Sequence, residues 1–132
     1  MTTDLSSPPS PPDPAATDIG LDTWPAPRGA STVTVKTTEL TALCPLTRLP
    51  DFYTLEIRYH PAERLLESKS VKLYLATFRD RVIGVEALAA EIRDALAHAL
   101  TPVALTVELT QGVRGGLTIT AQAHVGGGVT RG

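Results

Sequence analysis

The amino-acid sequence predicts an antiparallel α+β fold in the order β-β-α-α-β-β. Four segments alternate apolar and polar residues with period two, and two intervening segments repeat apolar residues every three or four positions. A short glycine-rich link joins the last two alternating segments, as an antiparallel hairpin requires. Clean alternation in all four strands implies a sheet with one covered face, and the two helices are its cover.

The first strand lies in Ser31 to Leu40, where Val33 and Val35 alternate with Thr32, Thr34 and Lys36. The second spans Phe52 to His60. There Tyr53, Leu55, Ile57 and Tyr59 point one way, and Thr54, Glu56, Arg58 and His60 the other. After Pro61 the period changes. Ser68 or Ser70 can cap a helix that carries Val71, Leu75 and Phe78 on one face, with Tyr74 beside them. A break at Asp80-Arg81 precedes a longer helix, near Ile83 to Leu100, with a stripe of Val85, Leu88, Ile92, Leu96 and Ala99 that ends at Thr101-Pro102. Val103 to Thr110 and Leu117 to Val125 alternate as strands three and four, with Gln111 to Gly116 read as the link.

Composition sets the limits. Residues 31–126 make one domain, Met1 to Ala30 is proline-rich without apolar period and reads as a mostly disordered tail, and 127–132 reads as a flexible end. No signal-peptide pattern and no apolar run of the roughly eighteen residues needed for a membrane span is present. A net charge of −2 without charge blocks leaves no footprint for nucleic acid. One cysteine closes no internal disulfide, which fits a reducing cytoplasm. His60, His98 and His124 have no metal-ligand spacing, so no metal is expected. About a hundred folded residues make a small enzyme, and a homo-oligomer with its site at a subunit interface is expected.

The chemistry centres on Thr38 to Asp51. Cys44 is the only thiol, Asp51 follows seven residues later, and prolines at 45 and 50 place the thiol on a loop beside a strand end. A thiolate can act as nucleophile and a nearby carboxyl can carry protons. An isolated cysteine can equally be a small buried apolar residue. Lys69 and Lys72, three apart, read alone as a solvated helix face, and Glu86 as a first-turn acid favoured by the helix dipole.

With these residues in view the chain resembles the 7-cyano-7-deazaguanine reductases, NADPH-dependent nitrile reductases of queuosine biosynthesis, in their short single-domain form. The resemblance runs from about Leu21 to Gly116. It is carried by Glu39-Leu40-Thr41-Ala42-Leu43-Cys44-Pro45, by Pro50-Asp51-Phe52, and above all by Glu67-Ser68-Lys69-Ser70-Val71-Lys72-Leu73-Tyr74. Leu21-Asp22-Thr23-Trp24-Pro25 and Arg114-Gly115-Gly116 extend it.

The resemblance implies a tunnelling fold, in which antiparallel sheets of several subunits close into a barrel. It implies that Cys44 attacks a nitrile carbon to form a thioimide, with Asp51 as proton donor and NADPH as reductant, giving the aminomethyl product. By the same resemblance Leu66, Glu67, Ser68, Val85 and Glu86 fall at substrate-binding positions, Glu86 as the carboxylate that pairs with the base. Lys69, Lys72 and Arg114 fall at cofactor-binding positions. The family has histidine where this chain has Val85, and often glycine where it has Arg48. Two other readings stand beside the reductase. One is an amidinotransferase-like enzyme, in which an amine attacks the thioimide. The other is a non-catalytic deazaguanine-binding protein.

Overall fold

The computed structural model describes residues 20–131. Its elements are β1 (Thr23–Pro25), β2 (Val33–Leu43), β3 (Pro50–His60), β4 (Arg64–Leu66), α1 (Ser68–Ala76), α2 (Val85–Leu100), β5 (Ala104–Arg114) and β6 (Leu117–Val125). The main sheet is antiparallel in the order β2-β3-β5-β6, and β1 with β4 forms a separate two-stranded ribbon. The main elements thus keep the expected β-β-α-α-β-β order.

The core lies between one face of this sheet and the helices. Tyr53, Leu55, Ile57 and Tyr59 of β3 and Leu105, Val107 and Leu109 of β5 meet Leu88, Ile92, Leu96 and Leu100 of α2. The strand residues are every second one and the helix residues are three or four apart, as the two periods dictate. Helix α1 adds Val71 and Tyr74, and Phe78 in the following turn meets Tyr74 edge to face at 5.3 Å.

Four local features differ from the sequence reading. Neither Ser68 nor Ser70 caps α1. Glu67 does, its carboxylate accepting from the N–H groups of Lys69 and Ser70 at 2.8 Å each. The span Gln111 to Gly116 is mostly strand, because a bulge between Gln111 and Arg114 absorbs the break in alternation. The turn proper is Gly115-Gly116, both at positive φ, which a two-residue hairpin of this hand demands.

The folded part also reaches further at both ends. Residues 1–19 of the expected tail lie outside the described residues, but Leu21 is buried in the core and Thr23–Pro25 pairs with Arg64–Leu66. At the other end Gly126, Gly127 and Gly128, all at positive φ, turn the chain back across the sheet. There Val129 donates to Thr106 Oγ1 at 2.7 Å and accepts from Arg58 Nε at 2.8 Å. Arg131 Nη2 reaches Glu108 Oε2 at 2.6 Å. The segment expected to be flexible is held by this network, in which the buried Arg58 and Glu108 are also paired with each other at 2.9 Å.

A candidate active site at the end of β2

A bulge in β2 aims the thiol. The register between β2 and β3 shifts between Thr37 and Leu40, so Val33 and Val35 before it and Leu40 and Ala42 after it all face the helices. Without that extra residue the parity would flip and every side chain after it would turn to the other face. Cys44 follows Leu43, the last residue of β2, and Asp51 stands opposite Ala42 in the neighbouring strand.

A six-residue turn carries the thiol. Cys44 N–H donates to Leu49 O and Arg48 N–H to Cys44 O, both at 2.9 Å. Arg48 has φ of 61°, a left-handed conformation in which glycine is unstrained. Arg48 thus bears a backbone strain that glycine at this place would not. Pro50 opens β3 ahead of its pairing with β5, a place where its missing N–H costs nothing in the ladder.

Donors gather at the sulfur. Leu46 N–H lies 3.4 Å from Sγ. The Thr47 N–H and hydroxyl, the Leu46 N–H and, more weakly, the charge of Arg114 together lower the Cys44 pKa to about 7, against a small opposing effect of burial. Near neutrality such a thiol is substantially thiolate, the reactive form. It is also partly exposed.

The other groups arrive from three elements. Asp51, 3% exposed, is paired by the Arg114 guanidinium from the β5–β6 hairpin. Leu43 N–H donates to Arg81 O at 2.8 Å, and Ile83 N–H to Leu43 O at 3.1 Å. These bonds lock the loop before α2 against the end of β2. They set the first turn of α2, with Gly84 at its start and the exposed Glu86 within it, beside Pro45. Arg81 is itself fixed by a two-pronged pair with Glu91 at 2.5 and 3.1 Å and by the Phe78 ring beneath it.

The expected residues therefore fall into two groups. Cys44, Asp51, Glu86 and Arg114 converge around the end of β2. Leu66, Ser68 and Lys72 line a cavity of about 420 Å³ between β2 and α1, whose lining includes none of those four. Lys69 and Lys72 are exposed and form no ion pair among the described residues, and of the two only Lys72 lines that cavity, with Lys36 and Glu39. Arg114 does not join them. Glu67 spends its carboxylate on the helix cap, and Val85, 4% exposed, packs into the core.

Two residues of this region were not singled out from the sequence. Thr47 supplies the strongest influence on the thiol, and nothing but its place three residues after Cys44 signals that. Tyr53 was read only as an inward strand residue. Its hydroxyl is buried with no hydrogen-bond partner among the described residues, and burial, then the charges of Cys44 and Glu86, raise its pKa.

Comparison with known proteins follows the same lines. The family model described as QueF-like protein matches residues 50–127. A protein of Frankia casuarinae named NADPH-dependent 7-cyano-7-deazaguanine reductase is 43% identical, over 83% of this chain and 87% of its own length. Another of that name, from Anaeromyxobacter dehalogenans, is 41% identical over 79% of this chain and 88% of its own. The crystal structure of the archaeosine synthase QueF-Like in the apo form superposes with a TM-score of 0.71. It covers 78% of this chain and 100% of that one at 24% identity, a likeness of fold.

Proposed function

The chain belongs to the QueF-like protein family, and from that premise we propose that it reduces the nitrile of 7-cyano-7-deazaguanine to the aminomethyl base with NADPH, for queuosine biosynthesis. One observation carries the reading: the only thiol of the chain is partly exposed, its pKa is lowered to about 7, and it stands on a hydrogen-bonded turn that leads into the strand bearing Asp51.

The thiolate of Cys44 attacks the nitrile carbon, one C≡N π bond breaks, and a proton taken up by the nitrogen leaves a thioimide. Asp51 is the proton carrier for that nitrogen. Two NADPH molecules, bound in turn, would each supply one hydride, and the C–S bond would break in the course of the reduction to return the thiolate. With two protons the balance closes on a primary amine and two oxidised cofactors. Glu86 accepts the paired N–H donors of the base and turns the nitrile toward the sulfur; analogues lacking those donors leave the carboxylate unmatched.

The residues present suit the dinucleotide. Lys72, which lines the cavity between β2 and α1, and Lys69, one turn earlier on the same helix, would meet phosphate oxygens as point charges, and the mostly apolar walls of that cavity would accept one flat ring. That cavity and the Cys44 group come together when copies associate. Among the described residues, the edges β2 and β6 have strand partners on one side only. Phe52, Val113 and Leu117, all more than half exposed, sit near the ends of the strands. A ring of copies paired edge to edge covers both features and completes each site from neighbouring subunits.

Mixing the protein with the nitrile base and NADPH tests the reading directly. A mass increment equal to the base together with loss of NADPH absorbance is expected. An increment without NADPH loss would favour the amidinotransferase-like alternative, and neither signal a protein that only binds the base.

A further inference from the structure

Two β-bulges flank β3, one in each neighbouring strand, and both lie toward its Asp51 end. The bulge in β2 brings Ala42, and with it the turn of Cys44, to the face covered by the helices. The bulge in β5 does the same for an arginine. Gln111 stands opposite Ile119 and Arg114 opposite Leu117, so β5 advances three residues while β6 advances two. Leu117 shares its face with Ala121 and Ala123 of the core, and Arg114 is thereby turned to that face. Under strict alternation from Leu109 it would point the other way.

Asp51 lies on this same face, two residues before the buried Tyr53, whose partner in β5 is Gln111. The next place along that register is where the bulge delivers Arg114, and its Nη1 pairs with Asp51 Oδ1. This is the only ion pair of Asp51 among the described residues, and Oδ1 accepts no hydrogen bond of ordinary geometry there. The Tyr53 hydroxyl is likewise without a hydrogen-bond partner among the described residues, so it gives Oδ1 no second donor. Cys44 and Glu86, the other ionisable groups at this end of the sheet, are acids and cannot offset a carboxylate. One guanidinium therefore compensates a buried charge.

A buried ion pair is weak evidence of a purely structural role, since well-packed apolar residues hold two segments as firmly. Two bulges that turn a thiol and a guanidinium toward one carboxyl group point instead to the chemistry of that carboxyl. We propose that Arg114 is a positioning residue for the proton step: paired at Oδ1, it fixes the plane in which the Asp51 carboxyl reaches the nitrogen of the substrate held on Cys44, and it does not meet cofactor phosphates. The proposal rests on Asp51 as the proton carrier. It also gives the β5–β6 hairpin a part in the reaction.

The test compares Arg114→Gln, Arg114→Lys, Asp51→Asn and the double variant of Asp51→Asn with Arg114→Gln in the reduction of 7-cyano-7-deazaguanine by NADPH. Arg114→Gln is expected to lower kcat roughly ten- to a hundredfold with the KM for NADPH little changed. Arg114→Lys keeps the charge and is expected to recover most of that loss. In the Asp51→Asn background, slowed by loss of the carrier, Arg114→Gln is expected to change neither kcat nor the KM for NADPH. Iodoacetamide alkylation of Arg114→Gln at neutral pH should stay close to that of the wild type.

A raised KM for NADPH with kcat held, an equal loss of kcat in both backgrounds, or alkylation that falls in step with kcat would each overturn the positioning role. The double variant buries no lone charge, so its comparison with Asp51→Asn decides the point even where Arg114→Gln fails to fold: a further loss in the double variant overturns the proposal. Wild-type kcat in Asp51→Asn would instead remove the proton-carrier assignment, and no turnover by the wild type the reductase reading itself, each taking the role of Arg114 with it.

Discussion

Arg114, at the tip of the β5–β6 hairpin, pairs with Asp51, a buried carboxylate next to the thiol-bearing turn. A residue expected to meet cofactor phosphates is thus engaged with the expected proton carrier, and its charge also contributes to lowering the Cys44 pKa. The pair ties the hairpin to the reactive end of the sheet.

The reactivity of Cys44 should follow these contacts. Alkylation by iodoacetamide, followed as a function of pH, is expected to have a midpoint near the thiol's value of about 7. Because the donors lower that value, removing one raises it and slows alkylation at neutral pH. Thr47→Val, which removes the stronger hydroxyl contribution, is expected to move the midpoint further upward than Arg114→Ala, which removes the weakest. The opposite order would mean that the guanidinium, and not the turn, sets the thiolate population.

Cys44→Ala is expected to abolish the covalent adduct while keeping part of the noncovalent affinity for the base, since Glu86 is untouched. Intact-mass spectrometry reads the first and calorimetry the second. An unchanged mass increment on the alanine variant would place the nucleophile elsewhere.

Lys72 should matter to the cofactor alone. Losing one charge-assisted contact to phosphate is expected to raise the KM for NADPH roughly tenfold, with base affinity unchanged. A larger effect on the base would reverse the assignment of the cavity between β2 and α1.

Glu67→Ala removes the cap of α1, and a loss of about 0.5–2 kcal/mol is expected in chemical denaturation. Partial burial of the Glu67 carboxylate raises its pKa, but the Lys69 and Ser70 donors outweigh that and hold it below the ordinary value. A folded-state value lower than the unfolded one stabilises above the ordinary glutamate range, and that contribution fades as pH falls through the folded value. The difference between wild type and variant should therefore shrink in acid. A difference that grew in acid would mean that the carboxylate is not the cap.

Gly128→Ala tests the C-terminal segment. At φ of 76° an added Cβ would stand 2.8 Å from Thr106 Oγ1, the atom that accepts from Val129 N–H. Backbone strain and the displaced contact should together cost about 1–3 kcal/mol, read as a lower denaturation midpoint with little change in slope.

The architecture was legible because its two periods are strong. Tyr53 to Tyr59 and Leu88 to Leu100 announce a strand face and a helix stripe, and burial follows them. What escaped depends on contacts between distant segments. The pairing of β1 with β4 involves three residues each, too few to show a period. Likewise Val129 looks like an unremarkable end until Thr106 and Arg58 are brought beneath it. At the site, the thiol and the lysines were visible through residue type and order, whereas the capture of Arg114 by Asp51 and the cap made by Glu67 are outcomes of packing. Ser68 and Ser70 were favoured as caps on propensity, and a longer acidic side chain one residue earlier reached the same N–H groups.

A chain with a single sulfhydryl has no internal means of undoing oxidative damage to it. Peroxide meeting a thiolate at Cys44 forms a sulfenic acid, and no second cysteine of the same chain can resolve it into a disulfide. Recovery has to come from a small-molecule or protein reductant outside the chain, so stored preparations should lose activity with dissolved oxygen and regain it with dithiothreitol until the sulfinic stage is reached.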